Sequence, residues 1–177
     1  MARVVLINGA PGSGKSTVAQ MLSAQSRMAM ALDIDQIKHS LGGWEDDSFS
    51  SGLHARRLAL ALVDEQLRSG GDVFLGQYLA RTDFIEALEA ASERRQASFH
   101  EFILDIDGDQ LARRLRGRSE SPSRPEHAIN NRLVGPADAL QFVQSLANLR
   151  ASRPSAIWID ANGSPEEIAG SISASID

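Results

Sequence analysis

Short apolar runs alternate with amphipathic stretches along the chain. Five runs have the length and the β-branched or aromatic character of buried strands, at residues 3–8, 28–34, 72–78, 99–106 and 155–160. Helical spacing of apolar positions follows Lys15, Asp35 and Thr82, and predicts further helices at 53–69, 108–116, 126–133 and 136–150, with a last one from Pro165. This alternation predicts an α/β fold, a parallel sheet with helices on both faces.

Two polar segments interrupt the alternation. Residues 44–52 carry Trp44 and three acids and predict a loop. Residues 117–126 are rich in Ser, Pro and Gly and predict a mobile loop. Neither segment has the character of an interdomain linker, and the chain shows no internal repeat. We therefore expect a single domain, 1–177, in which a lid spans about residues 113–132.

The composition excludes several classes of protein. The 177 residues contain no cysteine, which rules out disulfides and thiolate metal sites. No run approaches the roughly 20 apolar residues that cross a bilayer. We expect a cytoplasmic protein without membrane contact, either a monomer or a homodimer.

Charge is distributed unevenly. The net charge is −5, which argues against sequence-independent binding to long nucleic acid. Six arginines and only two acids, however, lie between Arg113 and Arg132. A basic island on an acidic protein favours a small polyanion, such as a nucleoside triphosphate.

A glycine-rich segment between the first strand and the first helix matches G-x-x-x-x-G-K-[ST]. Its residues are Gly9, Ala10, Pro11, Gly12, Ser13, Gly14, Lys15 and Ser16, followed by Thr17. Glycines let several backbone N–H groups converge on one anion, and the helix that begins at Lys15 directs its dipole at the same point. We expect these residues to bind the phosphates of MgATP, with Lys15 at the β- and γ-phosphates and Ser16 on Mg²⁺.

Two acids, Asp33 and Asp35, end the second predicted strand. Alternate residues of a strand point to the same side, and the carboxyl ends of parallel strands form the ligand crevice. Asp35 is the candidate general base that takes the proton of an attacking hydroxyl, and Asp33 is the candidate ligand of Mg²⁺ or of the substrate. The alternative is that Asp35 only caps the following helix.

The third predicted strand ends at Gln77, where phosphate-loop enzymes often carry a magnesium-binding Asp. A glutamine cannot replace that charge, which shifts this role towards Asp33. Gln77 and Tyr78 are candidate acceptor contacts, and Arg81 is a candidate phosphate contact; the alternative is a strand terminus with one buried aromatic. His54 is the one histidine that we expect near an acceptor.

The arginines around the predicted lid are candidates for closing over the transferred phosphoryl group. Arg114 and Arg118 are neighbours on a helix, and Arg124 follows the loop. Arginine binds phosphate oxygens through a planar fork and stacks on adenine. A solvated basic helix is the alternative for any one of them. We expect Arg118 and Arg124 to act in catalysis and Arg114 and Arg118 to contact the nucleotide.

These motifs resemble the small phosphate-loop kinases of the nucleoside-monophosphate-kinase type. GAPGSGKST is typical of that group, the D-x-D of residues 33–35 is similar to shikimate and gluconate kinases, and residues 76–82 (GQYLART) resemble an adenylate-kinase stretch, departing from it at Gln77 and Ala80. The arginine-rich segment resembles the lid of that group, which also includes zeta-toxin-like kinases and antibiotic phosphotransferases. Actinobacterial ATP-binding proteins resemble the middle of the chain.

The same resemblance implies the location of the adenine. IDANGSPEEIA resembles the final strand and helix of the group, whose connecting loop lies beside the base. It therefore implies that Asn162 and Gly163 contact the nucleotide, and that the lid arginines grip phosphates or stack on adenine.

Together the sequence predicts a Mg²⁺- and ATP-dependent kinase that phosphorylates a hydroxyl of a small molecule. A nucleotide-dependent switch or ATPase that acts through a protein partner is the second hypothesis. A 5′-hydroxyl polynucleotide kinase is the third, and the acidic surface argues against it.

Overall fold

The computed structural model describes residues 1–120 and 134–176. Within these residues five strands form one parallel sheet in the order β2-β3-β1-β4-β5. The strands are β1 (Arg3–Gly9), β2 (Met30–Leu32), β3 (Val73–Gln77), β4 (Ser98–Asp105) and β5 (Ile157–Asp160). The α/β fold with a five-stranded parallel sheet is therefore confirmed.

Helices connect the strands. They are α1 (Lys15–Ser23), α2 (Ile34–His39), α3 (Ser48–Arg68), α4 (Asp83–Arg94), α5 (Gly108–Glu120), α6 (Ala139–Ala147), α7 (Leu149–Ser152) and α8 (Pro165–Ile176), and a 3₁₀ turn at Pro136–Asp138 precedes α6. None of the helices in the described ranges is both long enough and apolar enough to cross a membrane. The helix predicted at 126–133 falls entirely outside the described residues.

Three differences between the observed and the predicted element boundaries have a local cause. Helix α3 begins inside the predicted 44–52 loop because the Asp47 carboxylate accepts a hydrogen bond from the Ser50 N–H at 3.0 Å and caps it. Strand β2 is shorter than predicted, since Asp33 already caps α2. Helix α5 continues to Glu120, past the start of the predicted 117–126 loop, because its first proline comes only at residue 122.

The central strand β1 carries the buried core of the sheet. Residues 4–7 of β1 are completely buried, as expected for a strand that is flanked on both edges and covered on both faces. In the β1–β3 register Asn8 lies opposite Gln77, and in the β1–β4 register Gly9 lies opposite Leu104. The polar residues that follow β1 and β3 therefore start from the same edge of the sheet.

The helices form a layer on each face of the sheet. Helix α1 packs against α8, whereas α3 packs against α4 and α5 against α6. Parallel crossovers are right-handed, which places α1 on one face and α3 and α4 on the other. The site described below lies at the carboxyl edge of the strands, between these layers.

Gly76 allows the first helix to approach the sheet closely. A Cβ on Gly76 would lie 2.9 Å from the Lys15 carbonyl oxygen and 3.1 Å from the Ser16 Cα. Both contacts are with backbone, which cannot rotate away as a side chain can. A side chain on this residue of β3 would therefore displace the start of α1.

Candidate functional site

The phosphate-loop segment forms a turn between β1 and α1. Gly12 and Gly14 have φ angles of 88° and 97°, a region that favours glycine. Gly14 precedes α1 as its N-cap without a side-chain hydrogen bond. The first N–H groups of α1 have no intrahelical partner and can bind an anion at the positive end of the helix dipole.

A buried hydroxyl lies inside this turn. Ser13 is completely buried, and within the described part of the chain its Oγ has no hydrogen-bond partner. An unpartnered buried hydroxyl costs about 1–3 kcal/mol unless a ligand atom satisfies it. The turn thus offers backbone donors together with a hydroxyl, a donor set that fits a phosphate group.

Lys15 lies within electrostatic reach of three other charged side chains. Its Nζ donates to the Ala10 carbonyl at 3.3 Å, which folds the ammonium back over the loop. Burial lowers the pKa of Lys15, Asp35 and then Asp33 oppose that shift, and the Arg118 charge adds to it. The predicted residues Lys15, Asp33, Asp35 and Arg118 are therefore brought close enough to interact electrostatically.

The two acids are arranged differently from the sequence prediction. They do not share one side of a strand, because β2 ends at Leu32 and α2 begins at Ile34. Asp33 is the N-cap, and its Oδ1 accepts the Asp35 N–H at 2.9 Å. The capping role considered for Asp35 therefore belongs to Asp33, and Asp35 lies in the first turn of α2 with its carboxylate left for other contacts.

A cleft opens between α2 and α3 beside these acids. It has a volume of about 310 Å³, and we call it the α2–α3 cleft. Its lining residues come from the two helices and the end of β3: Ile34, Asp35, Lys38, Ser48, Phe49, Gly52, Leu53, Arg56 and Gln77. Two of the predicted substrate contacts, Asp35 and Gln77, therefore lie in one cleft.

Three other predicted acceptor or phosphate contacts are not brought to the cleft. The Tyr78 hydroxyl donates to Ser145 Oγ at 3.1 Å, and its half-buried ring packs edge-on against Phe142. Arg81 is exposed and pairs with Asp83 at 3.3 Å. His54 is exposed and does not line the cleft, whereas its neighbour on the helix, Leu53, does.

Arg114 joins the phosphate loop to the loop between β5 and α8. Its guanidinium donates to the Ser13 carbonyl at 3.2 Å and to the Asn162 and Gly163 carbonyls at 3.3 and 2.9 Å. Burial lowers the pKa of Arg114 and of Arg118. Arg114, Asn162 and Gly163, which were predicted separately to contact the nucleotide, are therefore in direct contact with each other.

The β5–α8 loop is fixed by its own polar side chains. Asn162 donates both its backbone N–H and its Nδ2 to Asp160 Oδ1, at 2.9 and 2.8 Å. Ser164 and Glu167 form a capping box at the start of α8. The carbonyls that Arg114 contacts are consequently held in place from both sides.

Two further arginines of the predicted lid lie outside the described residues. They are Arg124, proposed for catalysis, and Arg132. The lid at about 113–132 stays a prediction for the same reason, and its described part is the end of α5.

Sequence reasoning missed several residues of this site. Asn8 is completely buried, its Nδ2 donates to the Leu79 carbonyl at 2.8 Å, and its Oδ1 accepts the Leu79 N–H at 2.9 Å. A polar residue at the end of an apolar strand was the available signal. Lys38, Phe49 and Arg56 gave no such signal, since only the packing of α2 beside α3 brings them together.

The site offers a small number of oxygen ligands for a magnesium ion. The described residues contain no cluster of three or more His, Cys, Asp or Glu that could hold a metal alone. Magnesium is usually bound by one or two carboxylates together with substrate phosphates and water. Asp33, whose second oxygen is free of the capping bond, and the Ser16 hydroxyl fit that pattern, with the nucleotide supplying the remaining ligands.

These features define the chain as a phosphate-loop protein with a kinase-like α/β fold. The sequence matches the AAA domain family over residues 4–135, about three quarters of the chain, and the chain belongs to this family. None of the curated proteins matches it significantly.

Solved structures share the whole fold at low sequence identity. The tunicamycin resistance protein of Deinococcus radiodurans superposes with a TM-score of 0.66 at 18% identity, covering 99% of this chain and 96% of its own. A gluconokinase from Sinorhizobium meliloti gives 0.65 at 17%, with coverages of 97% and 89%. The APS kinase of Mycobacterium tuberculosis, in complex with AMPPNP and APS, gives 0.62 at 16%, with 98% and 96%.

Proposed function

We propose that the protein is an ATP-dependent kinase that transfers the γ-phosphoryl group to a hydroxyl of a small molecule. The observation that carries this proposal is the position of Asp35. Its charge acts on Lys15 of the phosphate loop, and the same residue lines the α2–α3 cleft. A carboxylate between a triphosphate site and an open cleft is suited to receive the proton of an incoming hydroxyl.

Each part of the site then has a role. The loop N–H groups and Lys15 hold the triphosphate, and Ser16 and Asp33 hold Mg²⁺, which neutralises phosphate charge when bound. The acceptor oxygen bonds to the γ-phosphorus while the bond to the β–γ bridging oxygen breaks, and Asp35 takes the proton. Arg118 adds positive charge near the transferred group, and Arg114 fixes the nucleotide loop. Such transfer depends mainly on positioning and charge.

The proposal is supported by the kinase fold of the gluconokinase and the APS kinase. The Deinococcus protein has the same fold, and its name associates it with resistance to an antibiotic. The size of the cleft also supports a small acceptor, since about 310 Å³ corresponds to roughly ten water molecules. A metabolite, a nucleoside or part of an antibiotic would fit a cleft of this size.

The test is a transfer screen with γ-labelled ATP against hydroxyl metabolites, nucleosides and antibiotics. With the acceptor found, Asp35→Asn should lower kcat about 100-fold or more while ATP binds with unchanged affinity. Asp83→Asn, which removes an exposed carboxylate paired with Arg81, is the matched control and should keep kcat within two-fold.

Two outcomes would contradict the proposal. If kcat of Asp35→Asn stays within a few-fold of the wild type, Asp35 is not the base. Hydrolysis of ATP by water that no acceptor alters would favour the switch or ATPase hypothesis instead.

A further inference from the structure

The α2–α3 cleft contains charges of both signs at different positions. Asp35 and Lys38 are three residues apart on α2 and thus neighbours on one face of that helix. Arg56 lines the cleft from α3. The described cleft lining therefore carries two cations and one carboxylate, an excess of positive charge in an otherwise acidic protein.

Neither cation is neutralised by the protein. Lys38 Nζ donates to Ser48 Oγ at 2.6 Å, which uses one of the three donors of an ammonium group. The Arg56 guanidinium lies 6.0 Å from the Phe84 ring. Within the described ranges, neither forms an ion pair, whereas six other arginines do: Arg3, Arg68, Arg81, Arg95, Arg150 and Arg153.

Two apolar side chains are exposed in the same cleft. Phe49 is 76% exposed and Leu53 is 41% exposed, although both line the cleft. They are four residues apart on α3, so they form one continuous surface. Single exposed apolar residues are common on proteins, but a pair next to two unpaired cations indicates a ligand with an apolar part and a charged part.

We infer that the acceptor carries an anionic group that Lys38 and Arg56 bind, and an apolar body that lies against Phe49 and Leu53. This inference rests on the proposed kinase function. The Asp35 carboxylate repels an anion and needs a hydroxyl, so the hydroxyl and the anionic group are separate groups of the acceptor. Carboxylate and phosphate share the required chemistry, and the test separates them.

The test uses three probes that differ only at one end: 1,6-hexanediol, 6-hydroxyhexanoate and 6-hydroxyhexyl phosphate. Transfer of labelled phosphoryl from ATP to each is measured as a function of probe concentration. We expect KM for an anionic probe to be at least ten-fold below that for the diol. Whichever anion gives the lower KM identifies the group that the site prefers.

The variants Lys38→Gln and Arg56→Gln should each raise KM for the anionic probes at least five-fold. For the diol, KM should stay within two-fold, since no charge is lost to it. The matched control is Arg57→Gln, an exposed arginine next to Arg56 that does not line the cleft. Arg57→Gln should change neither the KM for the anionic probes nor the KM for the diol.

Binding is measured separately from transfer through Trp44. The Lys38 ammonium lies 5.1 Å from its ring centroid, so an anion at Lys38 should alter its fluorescence. A Trp158→Phe background removes the other tryptophan of the chain. In that background the anionic probes should change the emission at lower concentrations than the diol, and Lys38→Gln should abolish the difference.

Phosphoryl transfer and Trp44 fluorescence together distinguish a failure of the kinase proposal from a failure of the anionic-acceptor inference. Transfer to all three probes with equal KM would leave the kinase in place and overturn the anionic acceptor. Anion-selective binding without transfer to any probe, together with a transfer screen in which no compound is phosphorylated, would instead overturn the kinase proposal and leave the anion site. If the anionic probes and the diol change the Trp44 emission at the same concentrations, the inference of an anionic acceptor is overturned.

Discussion

The side chain of Asn8 binds the backbone of Leu79 as both donor and acceptor, across 71 residues of sequence. This pair joins the residue before the phosphate loop to the segment after β3. Asn8→Leu keeps the approximate size but leaves a buried N–H and a buried carbonyl of Leu79 unpaired. We expect a loss of about 2–4 kcal/mol in the free energy of unfolding, measured by urea denaturation.

The control for Asn8 is Ser92→Ala. Ser92 is also completely buried, but its Oγ bonds to the carbonyl of Leu88, which lies four residues earlier in the same helix. That carbonyl keeps its helical partner when the hydroxyl is removed, so this loss should stay below about 1 kcal/mol. Equal losses for the two variants would mean that the Asn8 bonds contribute nothing particular.

The second prediction concerns Lys15. Lys15→Ala removes the ammonium group that faces the phosphate loop and should weaken binding of a non-hydrolysable ATP analogue at least about 30-fold, or about 2 kcal/mol, by calorimetry. Arg27→Ala, which removes an exposed cation elsewhere, should leave the affinity within two-fold. Unchanged affinity in Lys15→Ala would contradict the triphosphate site itself.

The third prediction concerns the contact between two loops made by Arg114. Arg114→Ala should lower the free energy of unfolding by about 1–3 kcal/mol, since charged donors to three carbonyls are lost. It should also weaken nucleotide binding, because the Ser13 and Gly163 backbones are no longer joined. Arg114→Lys should restore little, since an ammonium lacks the planar fork.

The neighbouring Arg113 provides the control. It is exposed, and among the described residues its guanidinium hydrogen-bonds to Gln110 of the same helix. Arg113→Ala should therefore change stability by less than about 0.5 kcal/mol. Similar effects in both variants would show that the net charge of α5 matters rather than the contact.

The fourth prediction concerns the close approach at Gly76. Gly76→Ala places a Cβ against the Lys15 and Ser16 backbone and should cost about 1–3 kcal/mol of stability. Nucleotide affinity should fall as well, because α1 must move. Gly170→Ala, in an open position of α8, should instead stabilise the protein by about 0.5–1 kcal/mol. Retained nucleotide affinity in Gly76→Ala would show that α1 tolerates the shift.

The fifth prediction tests whether the acceptor binds in the α2–α3 cleft, by filling part of the cleft with a larger side chain. A Cβ on Gly52 would contact nothing, so Gly52→Ala should raise the stability of α3 by about 0.5–1 kcal/mol. Gly52→Leu should fill the cleft and raise the acceptor KM at least ten-fold, with ATP affinity unchanged. If Gly52→Leu leaves the acceptor KM unchanged, the acceptor binds elsewhere.

The sequence predicted those features of the fold and the site that depend on residues close together in the chain. The phosphate loop and the alternation of strands and helices are local patterns, and the structure has them where they were expected. The position of β2 was predicted, but its end was not: the strand ends two residues earlier than predicted, at Leu32, which makes Asp33 a helix cap and gives it the role considered for Asp35. Helix caps and strand ends compete for the same residue types, so the pattern alone cannot separate them.

Contacts between residues far apart in the chain could not be predicted from the sequence pattern. Lys38 and Arg56 are separated along the chain by the Asp47 cap and two turns of α3, and only tertiary packing places both in one cleft. Tyr78 was predicted beside the acceptor because of its neighbours in sequence. Its contacts with Phe142 and Ser145 of α6, which are more than 60 residues away in the sequence, could not be predicted from those neighbours.

Lys15 and Lys38 are the only lysines in the chain, and the other sixteen basic residues are arginines. Lys15 lies in the proposed triphosphate half of the site, and Lys38 lies in the proposed acceptor half. Both ε-amino groups of this sequence thus lie at the proposed site. Acylating reagents that modify lysine side chains should consequently act as site-directed labels on this protein.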